Sequence, residues 1–183
     1  MLKQTIQQLA AKYKEEFIQV RRYLHAHPEL SYQEFETSKF VQEKLTELNI
    51  PFTVMATTGV VGIIEGNNLN ARVVALRADI DALPIDEEND VEYKSTKKGI
   101  MHACGHDVHT TCLLGAAKIL NETKNNWEGT VKLIFQPGEE RNPGGASYMI
   151  RDGALENPKP QGIIGLHVHP GLNIGKLSFR KGR

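Results

Sequence analysis

Residues 101–109 read Met-His-Ala-Cys-Gly-His-Asp-Val-His, and no other stretch constrains the chain as tightly. One thiol, three imidazoles and a carboxylate stand within nine residues, as Cys104, His102, His106, His109 and Asp107. Thiolate and imidazole are the side chains that best hold zinc-like divalent ions. Gly105 among them lets the backbone turn tightly and approach a ligand closely. Taken singly, each residue reads as a polar loop group or a buried cysteine. The cluster reads as metal-binding because two later segments carry matching donors, Gln136-Pro137-Gly138-Glu139-Glu140 and Gly165-Leu166-His167-Val168-His169. The fold must therefore bring three distant segments together.

The chain has 183 residues, enough for one sizeable domain and its core. Lys plus Arg equals Asp plus Glu at 22 each, so the formal charge is zero. That argues against a nucleic-acid or membrane-surface partner, which usually needs a basic patch. No apolar run is long enough to span a bilayer. The start, Met1-Leu2-Lys3-Gln4-Thr5, lacks the apolar core of a signal peptide. A cytoplasmic location is expected. Two cysteines make no disulfide framework, and a reducing compartment leaves Cys104 available as a thiolate.

Residues 5–24 are predicted helical, because Ile6, Leu9, Ala10, Tyr13, Phe17, Val20 and Leu24 share one helix face. Pro28 disfavours helix in the residue before it and ends this one near His25 and His27. Ser31-Tyr32-Gln33-Glu34 has capping-box spacing and predicts a second helix burying Phe40, Val41, Leu45 and Leu48. Strands are predicted over 52–56, 60–64, 72–78, 130–136 and 162–168, with one more over 174–179. Residues 86–93 read as a solvated acidic loop. Further helices are expected over 110–121, with Cys112 in plain core packing, and from Gly144-Gly145 to Ile150, ended by Asp152-Gly153. Strands alternating with helices predict an α/β layered fold with a largely parallel sheet.

In such sheets ligands bind outside the carboxyl ends of strands. Asp79 and Asp81 end one predicted strand, Glu139 and Glu140 follow another, and His167 ends a third. Adjacent glutamates divide labour plausibly: one holds a metal and the other moves a proton between water and a leaving group. A Glu-Glu pair or a lone histidine is weak alone, and only the company raises either.

Four segments, in this order, carry a resemblance: Arg77-Ala78-Asp79-Ile80-Asp81-Ala82-Leu83-Pro84, His102-Ala103-Cys104-Gly105-His106-Asp107, the Gln136–Glu140 turn and Gly165-Leu166-His167-Val168. Together they resemble the amidohydrolase branch of the aminoacylase/carboxypeptidase-type dinuclear metallopeptidases. That branch includes hippurate hydrolases, N-acyl-amino-acid and N-acetyldiaminopimelate deacetylases, and indole-acetyl-amino-acid hydrolases. The resemblance covers essentially the whole chain, starting at Arg22-Tyr23-Leu24-His25-Ala26-His27-Pro28-Glu29-Leu30. It implies a layered α/β/α catalytic domain and two divalent ions with a hydroxide bound between them. It implies that Cys104, His106, Glu140 and His167 are metal ligands, that Glu139 is the general base, and that Asp81 orients a ligand. His102 and His109 stay open as helpers or loop groups, His169 has no role, and His25 and His27 are expected to be structural.

The resemblance also implies a longer protein, in which a lid and dimerisation domain is inserted and a final segment supplies one more histidine. Residues 1–183 are thus expected to be the N-terminal portion of the catalytic domain, without lid or C-terminal segment. Three readings stay open. The first is metal-dependent hydrolysis of the amide bond of small N-acyl amino acids or peptides. The second is a remnant that keeps the fold and partial metal binding but turns nothing over. The third is a structural zinc protein, disfavoured because such sites are closed four-ligand sets without a spare carboxylate pair. Zn, Mn, Co or Ni all suit the ligands, with two ions in the family and one or none expected here. Self-association is expected if an apolar surface is left uncovered.

Overall fold

The computed structural model describes residues 1–179. Helix α1 spans Leu2–Ala26 and buries Val20, Leu24 and His25. It stops where His27 precedes Pro28, and the His27 N–H closes the last turn on the Leu24 carbonyl. Helix α2 spans Phe35–Glu47 and buries Val41 and Leu45, with Phe40 and Leu48 partly covered.

The expected capping box does not form. Glu34 occupies the N-cap of α2, and its side chain makes no capping bond. Ser31 instead donates to Asp81 Oδ2 at 2.6 Å, and Glu34 accepts from Thr58 and Gly138. Both side chains are drawn away by buried partners that local spacing does not reveal.

The sheet has the order β1-β2-β4-β3-β5, from β1 (Phe52–Met55), β2 (Gly59–Glu65), β3 (Val73–Asp79), β4 (Thr130–Gln136) and β5 (Gly162–Gly165). Strands β4, β3 and β5 pair in parallel, while β2 runs antiparallel to both β4 and β1. Four of the five strands thus point the same way, as a largely parallel α/β sheet requires. Asp79 lies opposite Gln136 at the shared carboxyl end.

Side chains alternate across the sheet. Leu133 and Phe135 of β4 face α1, α2 and α3 (His106–Glu122), joining Leu24, Leu45, Leu113 and Leu114 in the larger core. Ile134 faces the opposite side with Val61, Ala75 and Met149 of α4 (Gly145–Arg151). Each fully buried aliphatic or aromatic side chain contributes about 1.5–3 kcal/mol. Gly153, at φ +91°, follows α4 as expected for a left-handed cap.

Five local expectations are corrected. Helix α3 begins at His106 rather than 110, because the αL conformation of Gly105, at φ +87°, starts it inside the cluster. Cys112 is exposed, not core: it lines an apolar groove of about 830 Å³ between α1 and α3. Glu87 in the acidic loop is not solvated, since its side chain is 3% exposed and bonds His25 and Ser95. Residues 174–179 form no strand, since no neighbouring ladder takes up their hydrogen bonds, and Ile174, Leu177 and Phe179 lie exposed. Strand β5 also ends at Gly165, leaving His167 and Val168 on a loop. Among the described residues no helix is long and apolar enough to cross a membrane.

Candidate metal centre

The parallel register places three chain segments at one edge. Asp79 and Asp81 leave β3, the Gly138–Glu140 turn leaves β4, and His167 leaves β5. The fourth contribution comes from Cys104 and His106, at the start of α3.

The site residues expected from sequence do converge. Cys104 Sγ lies 3.4 Å from His167 Nε2. His106 Nε2 lies 3.7 Å from Glu140 Oε1, 4.0 Å from Glu139 Oε2 and 3.7 Å from Asp79 Oδ2. One donor atom each from Cys104, His106 and His167 falls within 4.8 Å of the others, and the same holds for His106, Glu139 and Glu140. His106 is shared between the two groups.

Asp81 prepares this arrangement. Its Oδ2 accepts from Ser31 Oγ and from the Glu140 backbone N–H at 3.0 Å. His106 Nδ1 lies 2.9 Å from the Asp81 carbonyl and 3.2 Å from its Oδ1, so Nδ1 carries the proton and Nε2 presents a lone pair. Burial pushes the Asp81 carboxyl up, but the bonds from His106, Ser31 and Glu140 outweigh it and hold it at about 2.

Whether a divalent ion fits is decided by atoms left without partners. His106 Nε2 and Glu140 Oε1 are both buried and find no hydrogen-bond partner among the described residues. A buried acceptor without a partner is costly, and a bound divalent cation would give both a partner. Burial and the Glu140 carboxylate push the Cys104 thiol up to about 12, because the charges facing it are negative. A bound cation reverses the sign of that environment. The donor set of thiolate, imidazole and carboxylate therefore fits divalent transition metals.

The sequence profile of peptidase family M20/M25/M40 matches residues 75–182. The chain belongs to this family. It is 49% identical over 164 residues to IAA-amino acid hydrolase ILR1-like 5 of Arabidopsis thaliana, covering 89% of this chain and 37% of that one. It is 42% identical over 184 residues to the N-acyl-L-amino acid amidohydrolase of Geobacillus stearothermophilus, covering 98% and 48%. Among solved structures it superposes on the YxeP protein of Bacillus subtilis, described as a dinuclear metal-binding peptidase from the M20 family. There the TM-score is 0.85 and the identity 41%, over 90% of this chain and 46% of that one. This M20 chain thus spans less than half the length of these relatives.

Several residues of this M20 chain matter to the site without having been assigned a role from sequence. Asp79 pairs with Arg77 at 2.7 Å and with His109 at 2.6 Å. Glu34 is wholly buried and accepts the Gly138 N–H at 2.8 Å, anchoring the Glu139–Glu140 turn. Its position three residues after Ser31 was the available signal, and it pointed to a cap instead. His25 is not merely a helix-end residue: Nδ1 meets Asp107 at 2.7 Å and Nε2 meets Glu87 at 2.9 Å. Among the described residues the His27 ring bonds the Tyr23 carbonyl, and the His169 ring bonds within its own loop. His102 is buried with both ring nitrogens unpartnered among the described residues, and burial holds its pKa down at about 4.

Proposed function

We propose that this site belongs to a metal-dependent amidohydrolase that cleaves the amide bond of N-acyl amino acids or small peptides. The observation that carries the reading is the convergence of Cys104, His106, Glu139, Glu140 and His167 around the unpartnered His106 Nε2 and Glu140 Oε1. Cys104, His106, Glu140 and His167 would hold the ions, and Asp81 orients His106. Two divalent ions fit the family, with Zn, Mn, Co or Ni as candidates. When bound, they polarise the scissile carbonyl and lower the pKa of coordinated water.

Glu139 is the base. It is the more exposed of the pair, at 42% against 22% for Glu140, so it faces the space a substrate enters. Its carboxylate takes one proton from the attacking water. The new C–O bond forms, the C–N bond breaks, and the proton passes to the leaving amine. The products are a carboxylic acid, which gives up its remaining proton to water at neutral pH, and a free amino acid. The names of the relatives, an N-acyl-L-amino acid amidohydrolase and an IAA-amino acid hydrolase, support this substrate class.

The alternative reading is a chain that keeps the fold and partial metal binding but turns nothing over. The exposure of His167 favours it, since solvent at the site screens charge developing in the transition state. On either reading the chain corresponds to the N-terminal portion of a catalytic domain, and it spans less than half of its relatives. Two free thiols suit a reducing, cytoplasmic setting.

The test combines Zn2+ or Mn2+ titration with hydrolysis of an N-acetyl amino acid. Turnover that vanishes in Glu139→Gln while metal stays bound supports the enzyme. Metal binding without turnover in the unaltered chain supports the alternative. Loss of metal in Glu139→Gln with the fold retained would exchange the roles of the two glutamates.

A further inference from the structure

We infer that His109 is a positioning residue: it straps the loop bearing His167 onto the start of α3. The inference rests on the reading of His167 as a metal ligand. His109 also lies within reach of a metal-like group, with its donor atom near those of Asp79 and His106. Its two ring nitrogens are already engaged, however. Nδ1 meets Asp79 Oδ1 at 2.6 Å, and Nε2 accepts the Val168 backbone N–H at 3.0 Å. A nitrogen that accepts an N–H has no proton of its own, so the proton sits on Nδ1 and is donated to Asp79. No lone pair of His109 remains for an ion.

The strap is anchored at both ends. Asp79 ends β3, where Arg77 also holds its Oδ2 at 2.7 Å and Thr110 bonds its backbone carbonyl at 2.8 Å. At the other end, Val168 directly follows His167, whose ring stands edge-on to that of His109 at 4.6 Å between centroids. The Val168 side chain covers Gly105, where a Cβ would run into Val168 Cγ2. Gly105 adjoins both Cys104 and His106. One loop therefore docks by a hydrogen bond to His109 and by contact with Gly105, and this docking brings His167 Nε2 to Cys104.

The strap matters because His167 is otherwise free to move. It is exposed, and among the described residues its Nδ1 bonds only the adjoining Val168 carbonyl. Outer partners that orient a ligand typically account for about 10–100-fold in metal affinity. His109→Phe keeps a ring against His167 and removes both hydrogen bonds. His109→Gln leaves an amide oxygen where Nε2 stands, able to accept the Val168 N–H.

The experiment measures Zn2+ affinity by chelator competition and amide hydrogen exchange at Val168, in the unaltered chain, His109→Phe, His109→Gln and His167→Ala. His109→Phe is expected to weaken Zn2+ binding about 10–100-fold and to speed Val168 exchange. His109→Gln should restore part of both. Adding His109→Phe to His167→Ala should cost no further Zn2+ affinity, an outcome that general loosening of the fold would not give. If His167→Ala weakens Zn2+ binding but His109→Phe does not, the strap is overturned and the ligand reading stands. If His167→Ala leaves Zn2+ binding unchanged, the ligand reading falls, and the strap's role falls with it. Nitrogen chemical shifts of the His109 ring in the unaltered protein need no variant to fold. A proton found on Nε2 instead of Nδ1 would overturn the strap outright.

Discussion

Cys104 Sγ faces His167 Nε2 at 3.4 Å, across 63 residues of chain. The two donors are brought together by packing around them rather than by any bond they need for themselves. The thiol lies just before the start of α3, and the imidazole sits on an exposed loop past β5. Binding of one ion by both is expected to couple them. Cys104→Ala and His167→Ala should each lower Zn2+ affinity, and the double variant should lose less than the two single losses combined. Strict additivity in a chelator competition would show that the two do not share an ion.

Glu34 gives a test of the scaffold under the glutamate turn. Burial raises its pKa above the usual 4.5, so the fold favours the neutral acid. Its contribution is present below the unfolded pKa and is lost as pH rises through the folded value. Glu34→Gln keeps an acceptor for Gly138 N–H and a partner for Thr58 without a charge. In urea unfolding at pH 8 it should be at least as stable as the unaltered chain. Glu34→Ala strips both donors of their acceptor, at about 1–3 kcal/mol for each. Equal stability of the Gln and Ala variants would refute this account.

The convergence itself was legible in the sequence, because donors placed after successive parallel strands must emerge at one sheet edge. The resemblance added roles that no spacing shows, such as Glu139 as base. What stayed hidden were partners set by packing. Ser31 and Glu34 have capping-box spacing, yet Asp81, Thr58 and Gly138 claim them. Cys112 looks apolar in sequence but lies on the outer face of α3 beside an open groove. Glu87 sits in an acidic run, yet the buried His25 ring takes it out of solvent.

His25 supplies a pH dependence. The hydrogen bond to Asp107 raises its pKa above 6.5, burial opposes this, and Glu87 adds to the rise. A raised histidine stabilises the fold fully below pH 6.5, and the contribution is lost as pH rises through the folded value. Stability should therefore fall on the alkaline side of that range. In His25→Asn the slope should flatten, as read from urea midpoints between pH 6 and 9. A slope unchanged by the substitution would remove His25 as its cause.

Among the described residues strand β5 has a partner on one side only, and its Ile163 and Ile164 are 51% and 55% exposed. Unguarded apolar edges pair with further copies. Ile163→Lys is expected to shift the chain toward monomer in light scattering, with its Zn2+ affinity unchanged. A monomeric unaltered chain would show that this edge is inert.

The parallel pairing of β3 with β5 has a consequence in time. Val74 must find Gly162 after most of the intervening chain has been made and collapsed. Helices form locally in about a microsecond, whereas pairings between distant segments wait on loop closure. The hairpin-like contacts of β1 with β2 do not depend on that closure. His167 reaches Cys104 only after β5 has docked. The site therefore waits on the strand pairing with the longest sequence separation among the described residues, and a chain in which β5 has not docked carries the donors without yet being a site.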